Sequence, residues 1–196
     1  LYDSYGFPLE LSEELSRRKS LALDKVSFEE LLKKQKERSR QRRAGEGFDP
    51  SKIRTAHTAA HLLNRALQEV LGDPIHQMGQ RLSQKQFTHD FNFSRRLTAE
   101  ELRKIESLVN EKILENLPVT VRETSFEEAK REGAQAQFEE KYKSVDKVTL
   151  YEIGNFSREL CGGPHAPSTG PLKQFKIVKE EAVSAGVRRI KAVVEG

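Results

Sequence analysis

Between residues 55 and 71 the apolar side chains Ala59, Leu62, Leu63, Ala66, Leu67, Val70 and Leu71 recur at a helical period, which predicts one long amphipathic helix. Gly72, Asp73 and Pro74 end it. Residues 87–93 alternate between apolar and polar and predict a strand. Thr98 and Glu101 have capping-box spacing, ahead of a helix that carries Leu102, Ile105, Leu108, Val109 and Ile113 and ends near Asn116. Residues 119–122 predict a strand, and Ser125 with Glu128 caps a short helix stopped at Gly133. Further strands are predicted at 148–153, 175–178 and 187–194. Strands and helices do not alternate strictly, so the expected class is α+β: a core of mixed helix and antiparallel sheet.

The first third reads differently. Ser12 opens one helix, with Glu13 and Glu14 at its positive end. Ser27 and Glu30 cap a second helix, whose apolar content fades after Leu32 while Lys33, Lys34, Lys36, Arg38, Arg40, Arg42 and Arg43 accumulate. Gly45, Gly47 and Pro50 read as a linker, so the expected division is a helical, basic arm over residues 1–48 and a second domain over 49–196. Such a basic run is either a solvated helix face or a contact for a phosphate backbone.

Composition narrows the class. Of 196 residues, 36% are hydrophobic and 33% charged, with a net charge of +4, which fits a compact core with a heavily charged surface. Cys161 is the single cysteine, so no internal disulfide is available, and a reducing, cytoplasmic setting is expected. Neither a membrane-spanning apolar run nor a secretory leader is visible. The first residue is Leu1 rather than methionine, so a piece of a longer protein is expected.

Two patterns carry chemistry: His57-Thr58-Ala59-Ala60-His61 on the long helix and Cys161-Gly162-Gly163-Pro164-His165 far downstream. His57 and His61, one turn apart, share a helix face. Glycines and proline between Cys161 and His165 forbid regular helix there and impose a turn. Brought together, the two segments supply three nitrogens and a sulfur, a donor set suited to Zn²⁺. Four protein ligands describe a closed structural site, whereas hydrolysis needs an open position, and spacing leaves both readings standing. No glutamate follows His57 in an HExxH pattern, which disfavours a metalloprotease.

The segments HTAAHLL (57–63), NEKILENLPV (110–119), EKY (140–142), ELCGGPH (159–165) and AGVRRIKAV (185–193) resemble the editing domain of alanyl-tRNA synthetase and its free-standing relatives, a group similar to the threonyl-tRNA synthetase editing domain. The likeness runs from Arg54 to Gly196, and LYDSYGFPLEL at the start resembles the stretch leading out of the synthetase's tRNA-recognition region. It implies hydrolysis of the ester on tRNA(Ala) wrongly charged with serine or glycine, with His57, His61, Cys161 and His165 as zinc ligands and Gln77 in the editing pocket. The expected partners are the mischarged acceptor end of tRNA(Ala) and the remainder of an alanyl-tRNA synthetase. Free N–H groups at Gly162 and Gly163 are candidates for oxyanion stabilisation, and Arg40, Arg42, Arg43, Arg188 and Arg189 for phosphate contacts. The chain departs from the family pattern at Ala60 and Pro164, where threonine is common. There, and through GPHxPxTGxLKxFK (163–176), it looks like the threonyl enzyme, so serine editing on tRNA(Thr) and a non-catalytic RNA-binding module with structural zinc are the alternatives. The short link from Leu32 to Arg54 lacks the glycine-rich β-barrel module of longer relatives.

Overall fold

The computed structural model describes residues 49–72, 74–136, 142 and 146–196. The expected N-terminal arm, with Arg40, Arg42 and Arg43, lies outside them. Among the described residues, no helix is long and apolar enough to cross a membrane.

Helix α1 spans Pro50–Leu71 and starts five residues before the sequence expectation. Pro50, expected to close a linker, instead opens the helix. At the first helical position a missing N–H costs nothing, and Asp49 caps the end by accepting from Ser51 N–H at 2.9 Å. Gly72, at φ 70°, closes it by donating its N–H to the Gln68 carbonyl. Strands β1 (Gln77–Leu82) and β2 (Phe87–Asn92) follow, then helix α2 (Ala99–Leu114) with the expected Thr98–Glu101 capping box. Strand β3 (Val119–Thr124), the short helix α3 (Phe126–Arg131), β4 (Gln135–Ala136), β5 (Val148–Ile153) and β6 (Ser157–Leu160) come next. A 3-10 turn at Gly170–Leu172 leads to β7 (Phe175–Ser184) and β8 (Val187–Val194).

The expected α+β class is what the structure shows. Among the described residues two four-stranded sheets form, ordered β1-β2-β8-β7 and β3-β5-β6-β4, antiparallel throughout except where β4 runs parallel to β6. One face of the larger sheet packs with α1 and α2 around Leu62, Leu63, Leu67, Phe87, Phe91, Ile105, Phe175 and Ile190. The smaller sheet keeps a separate cluster of Phe126, Ala129, Val148, Leu150 and Leu160. Helix α1 lies between the layers, so residues 55–64 are buried on every side and polar positions there must find internal partners.

Three strands lacked a sequence signal. β1 is a polar edge strand with a bulge between Gln77 and Gly79, and β4 and β6 are only two and four residues long. β7 runs well past Val178 because its charged second half is held by ion pairs to β8: Arg188 to Glu180 at 2.5 Å and Lys191 to Glu181 at 2.8 Å.

Candidate metal centre

α1 and the turn after β6 bring His57, His61, Cys161 and His165 together, with one ligand atom from each lying within 4.8 Å of all the others. Burial on α1 holds the two early histidines rigidly, whereas Cys161 and His165 are half-buried on the turn. The turn approaches so closely that a Cβ on Gly163 would sit 2.3 Å from His57 Cε1, while one on Gly162 would meet nothing within 4 Å. The first glycine is therefore open to the surface and the second is a steric requirement of the cluster.

Every imidazole is oriented through its Nδ1. His57 Nδ1 lies 3.2 Å from the Pro164 carbonyl, which can only accept, so the proton is on Nδ1 and Nε2 presents a lone pair, 3.3 Å from Cys161 Sγ. His61 Nδ1 faces the Glu159 carboxylate at 3.0 Å. His165 Nδ1 faces the Thr58 hydroxyl at 3.2 Å, and its buried Nε2 has no hydrogen-bond partner among the described residues. Metal-ligating histidines typically use the second nitrogen in this way, with a carbonyl, carboxylate or hydroxyl fixing tautomer and ring orientation. Ala166 N–H donates to Thr58 Oγ1 at 3.1 Å, which anchors the end of the turn to the same helix.

The electrostatics agree. Burial works to raise the Cys161 pKa, but the imidazoles of His165, His57 and His61 gathered around the sulfur outweigh it and bring the thiol down to about 3. Burial alone would lower the pKa of His61; the Glu159 carboxylate charge overrides this and raises it. Glu159 is held below its ordinary value against its own desolvation, chiefly by the His61 charge. Burial pushes His165 down to about 4, so it presents a neutral ring. Cys161, Glu159 and His61 thus form a thiolate, a carboxylate and an imidazolium in contact. A divalent cation replacing the His61 proton would leave the group formally neutral, the coupling of metal binding to proton release seen at thiolate–imidazole sites. Of the remaining histidines, His76 is exposed, and His89 on β2 is fully buried, held near pKa 4 chiefly by desolvation, and within electrostatic reach of Glu159 and His61.

The other expected site residues fall at various distances from this cluster. Gln77 is half-buried at the start of β1, donates to Gln80 Oε1 at 3.0 Å, and lines a cavity of about 200 Å³ with Asn64, Gln135 and Glu159. Gly163 N–H points at Cys161 Sγ at 3.5 Å, so it supports the thiolate. Arg188 is paired with Glu180, and Arg189 grips Asp90 with two bonds of 2.6 and 2.7 Å. Ala60 is 1% exposed within the main apolar core. Pro164 acts through its carbonyl, which any residue there would supply, so the departure from threonine leaves the His57 contact intact.

Sequence reasoning passed over Thr58, Asn64, Glu159 and Tyr151, whose ring lies 4.2 Å from that of His165. Thr58 sits inside the first motif and Glu159 two residues before the second, but nothing in their spacing shows which imidazole each would face. Asn64 alone carried a signal, being a polar residue at the period of the helix's buried face.

Comparison with known proteins places this architecture. Residues 148–191 match the family model of the threonyl and alanyl tRNA synthetase second additional domain, and residues 1–91 match that of tRNA synthetases class II (A). Residues 148–191, which carry Cys161 and His165, thus resemble the second additional domain of these synthetases. The alanine–tRNA ligase of Treponema denticola is 48% identical over 200 residues, taking in all of this chain and 33% of the relative. That of Treponema pallidum is 46% identical over the same shares, and that of Thermoanaerobacter sp. is 48% identical over 70% of this chain and 15% of its own length. Over its whole length the chain is similar to a part of these alanine–tRNA ligases. It spans about a third of the length of the first curated relatives it matches.

Proposed function

We propose that this chain is the hydrolytic editing portion of an alanyl-tRNA synthetase. In this reading it holds Zn²⁺ at His57, His61, Cys161 and His165 and removes a wrong amino acid, chiefly serine and secondarily glycine, from tRNA(Ala) in the cytoplasm. The supporting observation is that all three Nδ1 atoms are engaged elsewhere, which frees the Nε2 atoms for an ion beside a thiolate. Three nitrogens and one sulfur, with no redox partner, suit zinc. When bound, such an ion polarises an ester carbonyl and lowers the pKa of coordinated water toward about 7.

The chain's own residues supply the rest. The half-buried Cys161 and His165 and the exposed Gly162 leave the turn as the flank that an acceptor end can reach. Gly162 N–H is the oxyanion donor in this reading, a contribution of about 3 kcal/mol where such donors have been measured. Gln77 contributes from the neighbouring cavity wall. Arg40, Arg42, Arg43, Arg188 and Arg189 contact phosphates, the last two by sharing guanidinium donors with Glu180 and Asp90.

Four protein donors also fill a tetrahedron, which favours a second reading: structural zinc in a non-catalytic tRNA-binding module. Incubating metal-loaded protein with Ser-tRNA(Ala), Ser-tRNA(Thr) and Ala-tRNA(Ala) separates the two. Rapid release of serine from tRNA(Ala), abolished in a folded Cys161→Ala variant, is the expected result. Preferred release from tRNA(Thr) reassigns the substrate. No turnover of any ester, with unfolding on metal removal, establishes the second reading.

A further inference from the structure

The hydrogen-bond chain that begins at His61 continues beyond Glu159. Glu159 Oε1 accepts from Asn64 Nδ2 at 3.1 Å, and the same Nδ2 donates to Gln135 Oε1 at 3.1 Å. Gln135 and Gln68 form a reciprocal amide pair, with Gln68 Nε2 donating at 2.6 Å and Gln135 Nε2 returning a bond at 2.7 Å. His57, His61, Asn64 and Gln68 recur at intervals of four, three and four, so one face of α1 carries both metal ligands and both amides. On the other side, Gln135 pairs in register with Glu159 on the neighbouring parallel strand. The clasp therefore joins β4 and β6 of the smaller sheet to the ligand-bearing face of α1.

Packing does little to hold this junction. A cavity of about 200 Å³ touches Asn64, Gln135 and Glu159, and a second of about 300 Å³ touches Gln68, Gln135 and Glu159. Leu150 and Leu160 of the smaller sheet belong to that sheet's own cluster, and the apolar side chains that line the two cavities are Ala134, Ala136 and Phe156. With space on two sides, hydrogen bonds set the separation between Glu159 and the helix. They also set the tilt of the His61 ring and the distance from α1 to Cys161, two residues beyond Glu159.

We propose that Gln135 is a positioning residue for the metal centre: through Asn64 and Gln68 it holds Glu159, and through Glu159 it fixes His61. This rests on the reading that the cluster binds zinc. Metal–ligand distances tolerate only about 0.2 Å, so a carboxylate loosened two hydrogen bonds away from Gln135 registers as lost affinity. Partners outside the ligand shell are typically worth 10–100-fold in metal affinity.

The test uses Gln135→Met and Gln68→Met, which keep the length of the side chain and remove the amide, and the double variant. Zinc affinity is measured by chelator competition on the 196-residue chain, and the visible spectrum of the Co²⁺ form reports the ligand field. Wild-type protein binds zinc, and each single variant binds about tenfold more weakly with a shifted Co²⁺ spectrum. The double variant is no worse than either single variant, because both break one device. Wild-type affinity and spectrum in Gln135→Met, or fully additive losses in the double variant, overturn the proposal. Failure of the wild type to bind zinc overturns the reading beneath it, a distinguishable result.

Discussion

Adjacent glycines in the Cys161–His165 turn should respond in opposite ways to one added methyl group. At Gly163 the new Cβ would stand 2.3 Å from His57 Cε1 and 2.6 Å from Nδ1, about 1.1 Å inside the 3.4 Å at which ordinary contact begins. His57 is 8% exposed on a rigid helix, so relief must come from tilting its ring or lifting the turn. Either movement stretches the 3.2 Å bond to the Pro164 carbonyl and takes Nε2 out of line with Cys161 Sγ. A displacement of that size is about five times the tolerance of a metal–ligand bond. Gly163→Ala should therefore weaken zinc binding by about 100-fold, or ~2.7 kcal/mol, the upper end of losses seen for partners outside the ligand shell. Overpacking should also cost the metal-free fold about 1–3 kcal/mol. Gly162→Ala meets nothing within 4 Å and should change stability by less than about 0.5 kcal/mol, leaving zinc affinity intact. Chelator competition for zinc, with denaturant unfolding in excess chelator, separates the two contributions. Equal zinc affinities in the two alanine variants would refute the claim that the turn closes directly on His57.

Glu159→Gln keeps the shape but removes the charge facing His61, and should weaken zinc binding about 10–100-fold by the same competition assay. Glu101, hydrogen-bonded to Arg95 and to Thr98 N–H at the start of α2, has its pKa lowered from 4.5 to about 2. Its folded pKa lies below its unfolded one, so the stabilisation is present above about pH 4.5 and is lost as pH falls toward 2. Glu101→Gln should cost about 1 kcal/mol at pH 7 and almost nothing at pH 2, read from urea unfolding at each pH. Removing the bidentate Arg189–Asp90 pair by Arg189→Ala should cost about 1 kcal/mol in urea unfolding, since the arginine is about a third exposed. If Arg189 also contacts phosphate, the same variant should lower the salt dependence of tRNA binding by about one counterion.

The sequence by itself determined the elements whose signal is local. A long run of apolar residues at helical period, a capping box at Thr98, strands of alternating polarity and a glycine turn each follow from neighbours in the chain. The α+β class follows from their order, and the four residues of the histidine–cysteine cluster from two short motifs about a hundred residues apart. Tertiary structure decided what depends on distant partners. Edge strand β1 and the charged half of β7 have no hydrophobic signature, because backbone pairing and cross-strand ion pairs hold them. Spacing showed that His57 and His61 share a face, but not that Pro164, Glu159 and Thr58 would each engage a different Nδ1. Those contacts span 98 or more positions of sequence and exist only because α1 is enclosed between two sheets, where a buried polar group must be satisfied by whatever the fold brings beside it.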